Sequence, residues 1–378
     1  MADPFVGRRP AARTSTKTRS LVRPAALTAA GVLLLGVAIS IAPIPAHAAT
    51  TTIVVTGTGD TSSGCVTSCP SLRDAVDAAN LLTTTSSNDV VIVLPGGTIN
   101  LTNGELDIGS RSNKFMTIKG PIPGYPAAAV VKQQTAGWSA FVVVSGANIT
   151  TNFQDLTITG ATAGGNFSFG GGAILSGDTG DLVTLTNCVI TGNSSSANGG
   201  GGGVLMSPGG SMTITNSTIS NNHSTQGYDG GVGIDNDGAH GASVLTITSS
   251  TVTGNSATDG GGVNPFGGGV FFNGGGNAGS SLSIARTVFS SNTAGTAGTV
   301  AGKGGAIYAK GPGSITLSTF TSNQVFSSGA SGRGGAVWHG AGALTVSTSR
   351  ILGNTGTVGP GLYQDTNAGS VTGLISNR

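Results

Sequence analysis

The chain has 378 residues, of which 66 are glycine and only 8% are charged, and its formal net charge at pH 7 is +2. Six of the 17 basic residues but only one of the 15 acidic residues lie in the first 48 positions, so the remainder has 11 basic and 14 acidic residues and a net charge of about −3. This composition excludes a large basic surface for nucleic acid. The apolar runs after residue 48 are too short to span a membrane.

Residues 1–48 are organised as a secretory signal peptide. A basic stretch ending at Arg23 precedes an apolar run, roughly Ala25 to Ile41, and the cleavage sequence Ala46-His47-Ala48 follows. The alternative is an uncleaved membrane anchor, but the proline-containing flank and the small residues favour cleavage. We therefore expect a secreted, extracellular protein whose mature chain has no transmembrane segment.

Two of the three cysteines, Cys65 and Cys69, lie four positions apart in a polar loop. In an exported chain this spacing predicts a disulfide. The alternative is half of a metal site, but no second pair of ligands accompanies it. Cys188 takes a position that serine fills in later repeats, which indicates a small structural residue.

The segment CPSLRDAVDAAN is the one stretch with helical spacing, and Ser71 precedes Asp74 by three residues, as in a helix N-cap box. The apolar residues on one helical face are Leu72, Ala75, Val76 and Ala79. Because a stack of strands has an open apolar end, we expect this helix to cover that end. Residues 49–110 are predicted to form this cap and the first coil.

From about residue 180 the sequence repeats a unit of short strands, and the second strand of each unit ends in asparagine. These residues are Asn193, Asn222, Asn255, Asn292, Asn323 and Asn354, at spacings of 29, 33, 37, 31 and 31 residues. Such a period predicts a solenoid, in which each unit buries its apolar face against its neighbours. The six amides are expected to form a hydrogen-bonded ladder.

Apolar and polar residues alternate in each unit, as in LTIT at 245–248, which is typical of half-buried strands. One inward column is predicted to contain Leu245 and Ile315, and the next Ile247 and Leu317, while Thr246 faces outward. Three strands per coil, each parallel to its counterpart, make an all-β, right-handed parallel β-helix, since such crossovers are right-handed. The β-helix repeats are predicted over 111–378.

These features resemble a known group of proteins. The segment CPSLRDA resembles the Cys-Ser-Leu-Arg-Glu/Asp-Ala motif that opens many secreted bacterial right-handed β-helix proteins. The repeats, such as MTITNSTISNN and GGAIY, are similar to those of polymorphic outer-membrane-type and pectin-lyase-like β-helices. The resemblance covers nearly all of the chain after residue 48. It implies an extracellular or surface location, with adhesive or unknown roles more often than demonstrated catalysis. The same fold also carries pectate lyases and polygalacturonases, so it does not decide function.

A column of aromatic residues follows the inward valine or isoleucine of the third strand in successive coils. Its members are Phe271, Tyr308, Trp338 and Tyr363. If Ile307 and Val337 point inward, the rings point outward, and Asp235 takes the same position in an earlier coil. Outward aromatic rows mark binding surfaces, so these four are the candidate ligand-binding residues. The alternative is that the glycine-rich loops cover the rings, or that the rings pack on one another as an outer ladder.

An enzyme of this fold would need clustered carboxylates, or calcium-binding acids with a basic residue. The candidate catalytic residues are Asp229, Asp235, Asp237, Asp259, Lys303 and Arg333. The alternative is that they occupy solvated turns beside glycines. The sequence around Gly233 also partly matches a calcium-binding nonapeptide, but it is a single copy with Asp237 in place of an apolar residue. No metal site or cofactor is predicted, and Ca²⁺ is the only ion considered.

We expect a monomeric, non-enzymatic protein that binds an extracellular polysaccharide or cell surface, as an adhesin does. The alternative is a polysaccharide lyase or glycoside hydrolase, against which the presence of only one glutamate, Glu105, and the lack of a recognisable catalytic set both count. A remote alternative is ice binding, because outward threonine pairs repeat in TLT and TIT, although later coils replace them by SIA and TVS.

Overall fold

The alternating runs of the sequence form strands that stack in register along one axis, and the chain is a right-handed parallel β-helix. The computed structural model describes residues 50–83, 89–109, 115–121, 127–143, 148–164, 170–197, 200–206, 208–226, 228–236, 240–258, 264–296, 301–327, 331–366, 368–372 and 375–377. The predicted signal peptide, residues 1–48, lies outside the described residues, as do Asp237 and Asp259.

Four parallel sheets run along the axis, numbered here in the order in which the chain visits them in each coil. In the described part of the chain, sheet 1 has twelve strands: Ser68–Ser71, Thr51–Gly59, Val90–Val93, Phe115–Lys119, Thr150–Gln154, Leu182–Thr186, Ser211–Thr215, Val244–Thr248, Ser281–Ala285, Gly313–Thr316, Leu344–Ser347 and Val371–Thr372. Sheet 2 has ten within the same ranges: Gly97–Leu101, Ala129–Gln133, Leu156–Thr159, Val189–Thr191, Thr218–Ser220, Thr251–Thr253, Val288–Ser290, Thr319–Thr321, Ser349–Leu352 and Ile375–Asn377.

The remaining sheets complete each coil. Among the described residues, sheet 3 consists of six two-residue strands: Thr162–Ala163, Ser194–Ser195, His223–Ser224, Ser256–Ala257, Thr293–Ala294 and Gln324–Val325. Sheet 4 has nine strands there: Leu106–Ile108, Phe141–Val143, Ile174–Ser176, Val204–Met206, Val232–Asp235, Val270–Asn273, Ile307–Lys310, Val337–Ala341 and Leu362–Gln364. The prediction of three strands per coil missed sheet 3, whose strands are too short to produce an alternating pattern.

The inward columns of sheet 1 follow the predicted alternation, with one exception. Ile247 is fully buried between Ile214 and Ile284 in the neighbouring strands. Ile315 continues this same column, and Gly313 takes the place that the sequence pattern gave to Ile315. Leu317, predicted to be buried, is 49% exposed and has a positive φ of 50°. The assignment was wrong because this leucine is the turn residue after the strand.

The six repeated asparagines form a continuous hydrogen-bonded ladder through the interior. From Asn193 to Asn354, successive Nδ2 donors lie 3.0, 3.0, 3.0, 2.9 and 2.8 Å from the Oδ1 acceptors of the next coil. Each Oδ1 in Asn222 to Asn354 also accepts from the main-chain N–H of the preceding ladder asparagine. The ladder therefore satisfies buried polar groups at the turn between sheets 2 and 3 in each of these coils.

One helix, α1 (Leu72–Asn80), lies against the first strands of sheets 1 and 4. Its predicted apolar face joins the main core, with Leu72, Ala75 and Ala79 fully buried. The helix thus covers the beginning of the stack. In the part of the chain that the structure describes, no helix has the length and apolarity needed to cross a membrane.

Several residues of the CPSLRDA segment make contacts that hold the helix in place. Cys69 is joined to Cys65 by a disulfide. Arg73 pairs with Asp60 at 2.8 Å and donates to the carbonyls of Gly104 and Glu105, which connects the helix to the first coil. Ser71 and Asp74 form the N-cap box: the Asp74 N–H donates to Ser71 Oγ at 3.1 Å, and Ser71 Oγ donates to the Asp74 carboxylate at 2.7 Å.

Asp74 is buried, and its carboxylate also accepts from the N–H groups of Ser63 and Gly64 and from the Thr61 hydroxyl. Burial by itself would raise the pKa of Asp74, but the hydrogen bonds outweigh it, and the pKa is lowered. Its stabilising contribution is therefore present above the unfolded-state pKa, about 3.9, and is lost as pH falls through the lower folded-state value.

We expect Asp74→Asn to destabilise the cap by about 1–3 kcal/mol at neutral pH, because an amide cannot accept the same set of hydrogen bonds. Hydrogen exchange should show faster exchange of the α1 amides in the variant than in the wild type at pH 7. The difference should shrink as pH falls below about 4 and towards the lowered folded-state pKa of Asp74, where the wild-type carboxylate becomes protonated. Equal exchange at pH 7 would show that the carboxylate does not hold the cap.

Candidate functional site

The aromatic column of sheet 4 has the predicted register. Phe271 lies beside Tyr308, Tyr308 beside Trp338, and Trp338 beside Tyr363, one ring per coil. The residues before the first three rings, such as Val337, are fully buried in the core, and Leu362, before Tyr363, packs against it. Because neighbouring residues of a strand face opposite sides, the four rings lie on the outer side of the sheet.

The predicted exposure of these rings is wrong. Phe271, Tyr308 and Trp338 are only 3%, 7% and 4% exposed, and Tyr363 is partly buried. A second layer of side chains covers them, as the alternative interpretation of the sequence allowed. This layer comes from the segments between sheets 3 and 4, where isolated parallel bridges join Phe266 to Lys303 and Lys303 to Arg333.

The rings of the two layers stack face to face. Along the column, ring centroids are 5.0 Å apart for Phe271 and Tyr308 and 4.3 Å apart for Tyr308 and Trp338. In the covering layer, Tyr228 lies 4.9 Å from Phe271, and Phe266 lies 4.8 Å from Tyr308. The interplanar angles of these four pairs range from 10° to 27°. Such stacked rings bury a large apolar area in a fixed geometry.

Two cations complete the covering layer. The Lys303 Nζ lies 5.2 Å from the Phe266 centroid and 4.8 Å from that of Trp338, and the Arg333 guanidinium lies 5.1 Å from the Tyr363 centroid. Burial lowers the pKa of Lys303. We name the partly exposed surface the aromatic–cation face; its residues are Tyr228, Phe266, Lys303, Arg333 and Tyr363.

The predicted position of Asp235 is also wrong, because Asp235 does not lie in the aromatic column. The column position in that coil belongs to Gly233, which pairs with Leu205 and Phe271, while Asp235 lies beside Asn273. The Asn273 amide donates to the Asp235 carboxylate at 2.9 Å. The prediction was two residues out, and such a shift leaves the inward and outward alternation unchanged.

Asp229 fills the space that Gly233 leaves in the column. A β-carbon at position 233 would clash with the Asp229 carboxylate in its present position, so the glycine leaves room for this side chain. Asp229 is fully buried, and among the described residues neither of its carboxylate oxygens has a hydrogen-bond partner. Burial first, and the nearby charge of Asp235 second, raise the pKa of Asp229 well above its usual value, which favours the neutral acid.

The structure separates the candidate catalytic residues by environment. Lys303 and Arg333 lie over aromatic rings, and the Arg333 ion pair is with Asp365, at 4.0 Å. Asp229 is closed off from solvent, and only Asp235 is a partly exposed acid of this set within the described ranges. No group of three His, Cys, Asp or Glu side chains that could hold a metal ion occurs in the described ranges.

The covering layer was not predicted from the sequence, although a signal for it exists. Phe266, Lys303, Arg333 and Val358 each precede a residue of the aromatic column by five positions, and Tyr228 precedes Gly233 by the same number. A constant offset across coils of different length indicates that two columns run side by side.

None of the comparisons with known proteins identifies a relative: no family model, no curated protein and no solved structure matches this chain.

Proposed function

We propose that the protein is a secreted, non-catalytic β-helix that binds a polysaccharide along the aromatic–cation face. The observation that carries this proposal is a set of partly exposed rings: Tyr228 and Phe266 lie over the buried rings, and Tyr363 ends their column. Aromatic faces are apolar and rigid, so they stack on sugar rings with little loss of side-chain entropy.

Export is supported by independent features. Residues 1–48 have the basic, apolar and small-residue segments of a signal peptide. The Cys65–Cys69 disulfide suits an oxidising extracellular environment. The CPSLRDA segment and the repeats resemble those of secreted bacterial β-helix proteins, for which an adhesive surface role is the expectation.

The burial of Phe271, Tyr308 and Trp338 changes their proposed role. These rings form the base of the site and hold the covering layer in place, while the covering layer contacts the ligand. A truncation such as Trp338→Ala is therefore expected to weaken folding together with binding, because it removes a buried aromatic side chain.

The double variant Tyr228→Ala/Tyr363→Ala tests the site without removing the buried base. We expect it to weaken polysaccharide binding by about 1–3 kcal/mol, because aromatic anchors dominate such interfaces. Binding should be measured by calorimetry on the best ligand from a glycan array, with circular dichroism to check the fold. The matched control, Thr246→Ala on the outer side of sheet 1, should bind as the wild type does.

Unchanged binding by the double variant would place the ligand elsewhere on the molecule. The same assays should include detection of reducing and unsaturated sugar ends. Release of such ends, abolished by Asp235→Asn, would replace the binding proposal with a lyase or hydrolase.

A further inference from the structure

The aromatic–cation face has an excess of positive charge that the described part of the chain does not neutralise. Lys303 and Arg333 lie side by side in adjacent coils, about 4.8 Å apart along the stack. Neighbouring like charges on adjacent strands are destabilising. The charges that act on Lys303 are those of two cations, Arg333 and Lys310, and of one carboxylate, Asp365. A second carboxylate, Asp235, acts on Tyr228 at the other end of the face.

The carboxylate that acts on Lys303 pairs only loosely with Arg333. Asp365 lies 4.0 Å from Arg333, at the limit of an ion pair, and within the described residues Lys303 has no carboxylate within that distance. Since the chain after residue 48 is acidic, with 11 basic and 14 acidic residues, this cluster does not follow from composition. It is a local feature of this face.

The cations are also held in place before any ligand arrives. The Lys303 ammonium lies between the rings of Phe266 and Trp338, and the Arg333 guanidinium lies over Tyr363. Contact with aromatic faces orders both side chains, so an anion that binds them incurs little further loss of entropy. Both remain partly exposed, so they are accessible to a ligand.

The order of aromatic and cationic side chains along the axis indicates which chemical groups a ligand must contain. Rings from Tyr228 and Phe266 come first, the two cations follow, and Tyr363 comes last. A polymer along this face would meet apolar surface, then two positive charges at the spacing of adjacent coils, then another ring. Sugar rings bearing negative oxygens satisfy both requirements.

We propose that the ligand of this face is an anionic polysaccharide whose acidic groups bind Lys303 and Arg333. This inference rests on the proposed function. It adds the sign of the ligand's charge and the residues that bind its charged groups. Carboxylate and sulfate ester groups share the required chemistry, and Arg333 can donate to either through two N–H groups.

The experiment compares three probes on the full chain after the signal segment: a polyuronate, the same polymer with its carboxylates reduced to alcohols, and a sulfated glycan. We expect the wild type to bind at least one acidic probe tenfold or more tightly than the neutral polymer, and to lose affinity as salt rises, because salt screens the charges. Preference between polyuronate and sulfated glycan identifies the acidic group.

Two neutralising substitutions, Lys303→Met and Arg333→Gln, should together remove the preference for the acidic probe and most of the salt dependence. Met keeps the apolar stem of Lys303 against the rings, and Lys303→Arg, which keeps the charge, should retain binding. The matched control is Arg350→Gln, which removes an exposed charge on sheet 2 and should change nothing.

Equal affinity of the wild type for the acidic and neutral polymers, with no salt dependence, would overturn this inference and leave the proposed function standing. Failure to bind any of the three probes or any glycan on the array would overturn both. Full binding of the acidic probe by the doubly neutralised variant would also overturn the assignment to Lys303 and Arg333.

Discussion

An aspartate at position 247 is expected to disrupt the stack around its coil, while an aspartate at position 246 is expected to be tolerated. Ile247 is fully buried between Ile214 and Ile284, so Ile247→Asp places a carboxylate in the apolar core at a cost of roughly 4 kcal/mol or more. Thr246 faces outward and is partly exposed, so Thr246→Asp should change the free energy of unfolding by no more than about 0.5 kcal/mol.

Urea unfolding followed by circular dichroism compares the two variants directly, and hydrogen exchange shows whether the damage stays near the altered coil. Local damage is the expectation, because each coil of a solenoid contacts only its neighbours. A larger loss in Thr246→Asp than in Ile247→Asp would mean that the register of sheet 1 is displaced by one residue.

The second prediction with a large effect concerns Asp229. Its contribution to the free energy of unfolding changes with pH in the opposite direction to that of Asp74. Its folded-state pKa is raised, so between the unfolded-state value of about 3.9 and the folded-state value the folded protein binds more protons than the unfolded chain. The contribution of Asp229 to the stability of the wild type should therefore fall as pH rises from about 4, by up to about 1.4 kcal/mol per pH unit.

The variant Asp229→Asn removes the titration and keeps the shape of the side chain. Its free energy of unfolding should lack the Asp229 contribution to this slope, so that its curve against pH lies flatter than that of the wild type above about pH 4. Asp235→Asn is the control on a partly exposed acid beside Asp229, and it should leave most of the slope in place. Parallel curves for the wild type and Asp229→Asn would mean that Asp229 ionises freely in the folded protein.

Much of the fold could be predicted because its signals are local and repeated. The alternation in LTIT and the recurrence of asparagine each report on one coil, and the same side chains form the buried column of Ile247 and the amide ladder. The N-cap box at Ser71 is equally local, and α1 begins directly after it. Repetition makes such weak signals reliable, since an accidental pattern does not recur at the same position in successive coils.

The errors arose where two positions satisfy the same alternation. Ile315 and Leu317 are both apolar and two residues apart, so either could have continued the buried column, and the turn after the strand decides between them. The same ambiguity misplaced Asp235, whose coil has Gly233 in the column because the Asp229 carboxylate occupies the space.

The exposure of the aromatic column was mispredicted for a different reason. Its exposure depends on residues from the flanking segments, and for Trp338 the cover is a lysine from the preceding coil. A cation on a ring is a contact between coils, and alternation within one strand carries no information about it.

The asparagine ladder has a consequence for how this molecule can vary. In the six coils with a ladder asparagine, the same ten-residue step leads from the first inward position of sheet 1, such as Val183 or Leu245, to that asparagine. The whole difference in repeat length therefore falls in the remaining part of the coil. That part contains the aromatic–cation face. In these coils the stack therefore has one part of constant length and a remaining part whose length differs from coil to coil, so residues can be inserted in the second part without changing the step that carries the ladder.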